Sequence, residues 1–150
     1  MIANNKMQIS FPALSVNEGF ARTCVASFCL QLNPSIEELN DIKTAVSEAV
    51  TNCVVHAYPN KVGNIILTAE IFDNSVLIVI KDEGVGIADF EQARQPFFTT
   101  KPDSERSGMG FAVMESFMDE VTLSKNGDKG LCVTMRKEFG KMTYSEALGG

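Results

Sequence analysis

Apolar positions along the chain follow two rhythms, one of period two and one near 3.6 residues. Met7 to Phe11 alternates, with Gln8 and Ser10 between apolar neighbours, and predicts a first strand at a sheet edge. From Ser15 to Leu32 the period lengthens: Val16, Phe20, Val25, Phe28 and Leu32 recur at helical spacing. Ser15 and Glu18 open that helix with a Ser-x-x-Glu capping-box pattern, and Asn33-Pro34 breaks it. Ser35 and Glu38 repeat the capping pattern. Leu39, Ile42, Val46, Ala49 and Cys53 then carry an apolar stripe to about His56, and Tyr58-Pro59-Asn60 ends the helix.

The period returns to two from Gly63 to Phe72 and again from Val76 to Ile80. Asp73-Asn74 lies between them as a tight turn, so the pair reads as a hairpin. Val76, Ile78, Ile80 and Asp82 share one face of the second strand, which puts a carboxylate at the end of an inward row. Such a carboxylate needs a partner, because burying it unpaired is costly. Ile87 to Ala93 fits a short helix, and Pro96 to Arg106 has no clear period and reads as a lid. Gly108 to Met118 is amphipathic, with Met114 and Met118 as core filler. Val121 to Ser124 and Leu131 to Arg136 are strands around Asn126-Gly127-Asp128, a strong hairpin signal. The tail from Gly140 is polar and reads as frayed.

Composition narrows the class. The chain has 150 residues, 45% of them hydrophobic, which suits one globular domain over 1–150 with a core at about 7–137. Thirteen basic residues against nineteen acidic give a net charge of −6 with no basic run, which argues against direct nucleic-acid binding. Cys24, Cys29, Cys53 and Cys132 show no Cys-x-x-Cys spacing and fit free thiols in a reduced, cytoplasmic setting. The first residues contain no apolar signal segment, and no run of about 18 apolar residues predicts a membrane span.

Candidate chemistry converges on a nucleotide. Glu48, Asn52 and His56 stand four residues apart on the shoulder of the second helix's buried face, where they either meet solvent or look into a pocket. Asp82 can accept a hydrogen bond from an exocyclic amino group of a base. Gly84 and Gly86 let the chain turn beneath it. Backbone N–H groups at Gly108 and Gly110, heading a helix, favour phosphate oxygens, and Lys101 and Arg106 add charge. The Asn52 side-chain oxygen suits Mg²⁺, and Glu48 can take a proton from an attacking hydroxyl or water. No Gly-x4-Gly-Lys-Ser/Thr loop, no His-Arg-Asp kinase pattern and no complete Gly-x-Gly-x-x-Gly fingerprint occurs. Glu18 and Arg22, four apart on the first helix, read as an exposed ion pair or a partner contact.

Four ordered motifs carry a resemblance. Glu48-Ala49-Val50-Thr51-Asn52 with His56 resembles the N box of the GHKL ATPase/kinase superfamily, and Asp82-Glu83-Gly84-Val85-Gly86 its first glycine box. Pro96-Phe97-Phe98-Thr99-Thr100-Lys101 resembles the segment before its lid, and Gly108-Met109-Gly110 the second glycine box. Ala13-Leu14-Ser15, the run from Lys43 to Asn52, and the run from Glu105 to Phe111 are similar to the anti-sigma serine kinases of sporulation. That similarity extends from about Met7 to Lys137.

The resemblance implies an α+β fold: a two-layer α/β sandwich whose mixed, mostly antiparallel sheet carries helices on one face. It implies a homodimeric serine protein kinase that uses ATP and Mg²⁺, sequesters a sigma factor, and phosphorylates an anti-anti-sigma protein. By the same resemblance Glu48 is the base, Asn52 the Mg²⁺ ligand and Asp82 the adenine reader. Gly84, Gly86, Thr99, Lys101, Ser107, Gly108, Met109 and Gly110 line the nucleotide, with Arg106 near the terminal phosphate. Glu18 and Arg22 fall on a partner-contacting helix. Two other readings stand beside this one. The first is an ATP-gated binding switch without phosphoryl transfer, against which the Glu48 carboxylate counts. The second is an isolated module that phosphorylates histidine, against which the short lid and missing dimerisation helices count.

Overall fold

Alternation in the strands decides which side of the sheet is covered. A computed structural model describes residues 2–58, 61–85, 110–127 and 129–140. The short helix expected at Ile87 to Ala93, the lid from Pro96 to Arg106 and the tail beyond Gly140 lie outside the described residues. Five strands form one sheet: β1 (Asn5–Pro12), β2 (Asn64–Phe72), β3 (Ser75–Asp82), β4 (Glu120–Lys125) and β5 (Leu131–Glu138). Their order is β1-β2-β3-β5-β4, so β1 is an edge strand and β3 is central.

Every described pairing is antiparallel, a more uniform sheet than the mixed one the resemblance implied. Connectivity explains this. Two helices intervene between β1 and β2, so the chain returns in the opposite direction, and tight turns join β2 to β3 and β4 to β5. In the first of these turns Asp73 is left-handed at φ +56°, and its N–H donates to Asn4 Oδ1 at 2.6 Å.

The inward rows are Ile65, Leu67, Ala69 and Ile71 on β2, Val76, Ile78 and Ile80 on β3, and Leu131, Val133 and Met135 on β5, all buried. The alternate residues of the same strands are partly or fully exposed, so one face of the sheet is covered. The cover comes from α1 (Val16–Cys29), α2 (Ile36–Asn52) and α3 (Gly110–Phe117), whose apolar faces join the strands in one core. Together these elements make the two-layer α+β sandwich. Met114 and Met118 are buried in it, as filler residues should be.

The two Ser-x-x-Glu patterns part company. At α2, Ser35 Oγ accepts from Glu38 N–H at 3.0 Å, and Glu38 Oε1 accepts from Ser35 N–H at 2.9 Å, a complete capping box. At α1 the expected box does not form. Ser15 already has helical dihedrals and offers only its carbonyl, while the Glu18 carboxylate is taken by Arg22 at 3.0 Å.

The buried face of α1 also differs from the expected stripe: Ala21, Val25, Ala26 and Cys29 are inside. Val16 is 78% and Phe20 51% exposed, the latter edge-on against Phe11 at 6.3 Å. Small residues let α1 lie close to the sheet, which leaves the larger apolar ones at its margin. Asn33, left-handed at φ +51°, ends the 3-10 turn that follows α1. The four cysteines are free thiols, two buried and two half-buried, and burial pushes Cys29 up to about 12.

Lys137 on β5 donates to the Phe117 carbonyl at 2.8 Å and pairs with Asp41 at 3.4 Å. It thereby ties the end of α3 to α2, with its charge at the negative pole of α3.

Candidate functional site

The site begins where the inward row of β3 changes from apolar to acidic. Asp82 takes the next inward position after Ile80 and is 2% exposed. Its Oδ1 accepts from Gly84 N–H at 2.9 Å and from Leu131 N–H at 3.1 Å. Its Oδ2 accepts from the Cys53 thiol at 3.4 Å. Burial pushes the Asp82 carboxyl up from its ordinary value, and the bonds from Gly84, Cys53 and Leu131 pull it back. Burial, with Asp82 alongside, drives the Cys53 thiol well above its ordinary range, so the sulfur keeps its proton and acts as donor. Asn126 Nδ2 holds the Asp82 main-chain carbonyl at 2.8 Å.

The turn after Asp82 is sewn to the end of α2. Beyond Asn52 the helix widens into a π-helical turn, Cys53–Ala57, a form that recurs at functional sites. Three successive N–H groups of the glycine turn find acceptors. Glu83 donates to Tyr58 Oη at 2.6 Å, Gly84 to Asp82 Oδ1, and Val85 to the Ala57 carbonyl at 3.0 Å. The Tyr58 hydroxyl in turn donates to the Asn64 carbonyl at 2.9 Å. Gly84 is required here by proximity: a Cβ at that position would run into the Ala57 carbonyl.

The other half of the site lies one turn back on α2 and at the head of α3. Glu48 is 8% exposed and Asn52 follows it by four residues. Asn52 Nδ2 is buried and, among the described residues, makes no hydrogen bond. It sits so close to Gly110 that a Cβ there would lie 2.8 Å away. A buried amide with an unused donor beside a helix N-terminus suits phosphate oxygens on its nitrogen side and a cation on its oxygen side. Among the described residues no group of three or more His, Cys, Asp or Glu is placed to hold a metal.

Three separated motifs thus meet. Asn52 lies against Gly110, its neighbour Cys53 against Asp82, and Ala57 against Gly84 and Val85. Gly86, Thr99, Lys101, Arg106, Ser107, Gly108 and Met109 lie outside the described residues, as does the side chain of His56. Glu18 and Arg22 are on α1, where their described side-chain bond is to each other. Sequence reasoning passed over Cys53, counted as stripe, and Tyr58, counted as a helix stop. It also passed over Asn126, read only as a turn former. The adjacency of Cys53 to Asn52 was the one available signal.

Comparison with known proteins places a sandwich of this topology in a class of ATPase domains. The family description "Histidine kinase-like ATPase domain" matches residues 11–137. Relatives at 50–55% identity share nearly the whole length. An anti-sigma F factor of Caldanaerobacter subterraneus is 55% identical over 92% of this chain and 96% of its own. That of Bacillus subtilis is 50% identical over 91% and 94%. The chain belongs to the histidine kinase-like ATPase family, in the group formed by these anti-sigma F factors.

Two solved structures share the fold at low identity. The RsbU and RsbW domains of Rv1364c from Mycobacterium tuberculosis match with a TM-score of 0.64 at 19% identity, over 91% of this chain and 32% of that one. The catalytic domain of histidine kinase ThkA matches at 0.56 and 17%, over 89% and 96%. No described helix is long and apolar enough to cross a membrane.

Proposed function

We propose that this chain is an ATP-dependent serine protein kinase that binds and inhibits a sporulation sigma factor and phosphorylates an anti-anti-sigma protein on serine. The observation that carries the nucleotide part is the meeting of Asn52 with Gly110 and of Cys53 with Asp82, at one end of α2. The partner part rests on the relatives, which are named anti-sigma F factors over nearly the same length.

Each residue then has a role. Asp82, an acceptor held by three donors, reads the amino group of adenine. Asn52 would hold Mg²⁺ through its side-chain oxygen, leaving its unused N–H for phosphate. Gly110 heads α3 so that phosphate oxygens approach its N-terminus closely. When bound, ATP would supply the phosphoryl group and Mg²⁺ the positive charge that offsets its oxygens during transfer. Glu48, 8% exposed on α2, takes the proton of the partner's serine hydroxyl. Thr99, Lys101, Arg106, Ser107, Gly108 and Met109, with Gly84 and Gly86, complete the nucleotide contacts. Glu18 and Arg22, an exposed pair on α1, meet the protein partners as charged groups. The working unit is a cytoplasmic homodimer.

The test mixes the protein with Mg-ATP and a candidate anti-anti-sigma protein and looks for phosphoserine by mass spectrometry. Transfer by the wild type and none by Glu48→Ala, with ATP still bound, supports the proposal. ATP-dependent sigma binding with no phosphoserine from either protein reduces it to a switch.

A further inference from the structure

Two side chains that the proposed mechanism leaves unused grip Asp82 and its turn from the two ends of the π-helical turn. Cys53 stands at its start with the thiol on Asp82 Oδ2, and Tyr58 follows its end with the hydroxyl under Glu83 N–H. We propose that Cys53 and Tyr58 are positioning residues that set base selectivity: they hold Asp82 so that it favours a purine with an amino group over one with an oxo group. This rests on the ATP reading of the site and deepens it.

The argument is one of acceptor accounting. Oδ1 of Asp82 already receives two backbone N–H groups, from Gly84 and Leu131. Among the described residues Oδ2 receives only the thiol, a weak donor, so it retains capacity for one further donor. A carboxylate in this state offers lone pairs and no proton. It welcomes an amino group and repels a carbonyl oxygen. Removing the thiol leaves a buried oxygen with less support for its charge, which favours the protonated acid, and that form can donate to an oxo group. Among the described residues, the ionisable groups around Asp82 besides Cys53 are Tyr58 from beyond α2 and Glu83 from its own strand end; β5 contributes the Leu131 N–H.

Tyr58 acts on the backbone. Its hydroxyl bridges Glu83 N–H and the Asn64 carbonyl, and so fixes the turn that carries Gly84 onto Asp82 Oδ1. Without that hydroxyl Glu83 N–H loses its acceptor, and of the three described turn bonds only those of Gly84 to Asp82 and Val85 to Ala57 remain, so the aim of the carboxylate loosens.

The test measures calorimetric affinities for Mg-ATP and for Mg-ITP, the inosine nucleotide with an oxo group in place of the amine. The proteins are wild type, Cys53→Ala, Cys53→Ser and Tyr58→Phe. Wild type should prefer ATP. Cys53→Ala and Tyr58→Phe should each shrink the ATP-to-ITP ratio by about threefold to tenfold, the worth of one hydrogen bond. Cys53→Ser, which restores a donor, should keep the wild-type ratio. A filler role for Cys53 would change both affinities together, so an unchanged ratio in Cys53→Ala and Tyr58→Phe overturns the inference. A ratio in Cys53→Ser as low as in Cys53→Ala also overturns it. A wild type that binds neither nucleotide overturns the ATP reading itself.

Discussion

The two halves of the candidate site are built on opposite plans. On the Asp82 side, every polar group described has a partner: two N–H groups and a thiol on the carboxylate, and acceptors for Glu83, Gly84 and Val85. On the Asn52 side, a buried amide nitrogen has none, although it lies against the head of α3. Satisfied networks are rigid, and a buried unsatisfied group is a cost that a ligand can relieve. On the proposed nucleotide reading, the half around Asp82 is therefore shaped in advance, and the half around Asn52 is completed on binding.

Removing Asp82 should break this contrast most severely. Asp82→Ala strands two buried N–H groups, and a urea titration should show a loss of about 3 kcal/mol, together with lost ATP binding. Asn52→Ala should behave in the opposite manner. It deletes an orphaned donor, so stability should stay within about 1 kcal/mol of wild type, while calorimetry should show Mg-ATP affinity down about a hundredfold. A large stability loss in Asn52→Ala would erase the distinction between the halves.

Acidity sharpens the same contrast. Burial holds the Asp82 carboxyl above its ordinary value of 3.8, so the folded state binds that proton more tightly than the unfolded chain. Its contribution to stability is complete below 3.8 and is lost as pH rises through the folded value. Nucleotide affinity runs the other way, because the protonated acid no longer accepts from an amino group. Affinity measured from neutral pH downward should fall severalfold as Asp82 protonates, and Asp82→Asn should show no such fall. The smallest expected change is on α1. Arg22→Ala removes an exposed ion pair, so stability should move by less than about 0.5 kcal/mol. Nucleotide affinity should be untouched, and sigma-factor binding in a pull-down titration should weaken.

What the sequence disclosed, and what it hid, follows from distance along the chain. Period-two rows located β1, β2 and β3 and put Asp82 inside, and the Asn126-Gly127 turn signal located β4 and β5, because alternation and turn chemistry are local properties. The Ser35 box formed and the Ser15 box did not, although both read Ser-x-x-Glu. An arginine one turn after Glu18 competed for the carboxylate, and Ser15 had already entered helical geometry. Val16 and Phe20 matched a helical period, but Ala21, Val25 and Cys29 formed the closer-fitting face. The partners of Asp82 were not legible, because Cys53, Asn126 and Leu131 reach it only after α2 and the β4–β5 hairpin close around it. Asn52 and Gly110 could each be picked out along the chain; their meeting is a product of the fold.

Amide hydrogen exchange of the free protein and of its Mg-ATP complex tests the central claim most directly. The account predicts that Glu83, Gly84, Val85 and Leu131 are protected before nucleotide is added and change little afterwards, while protection rises at Asn52 and the head of α3. Rapid exchange at Glu83 to Val85 in the free protein, slowed only by nucleotide, would contradict it.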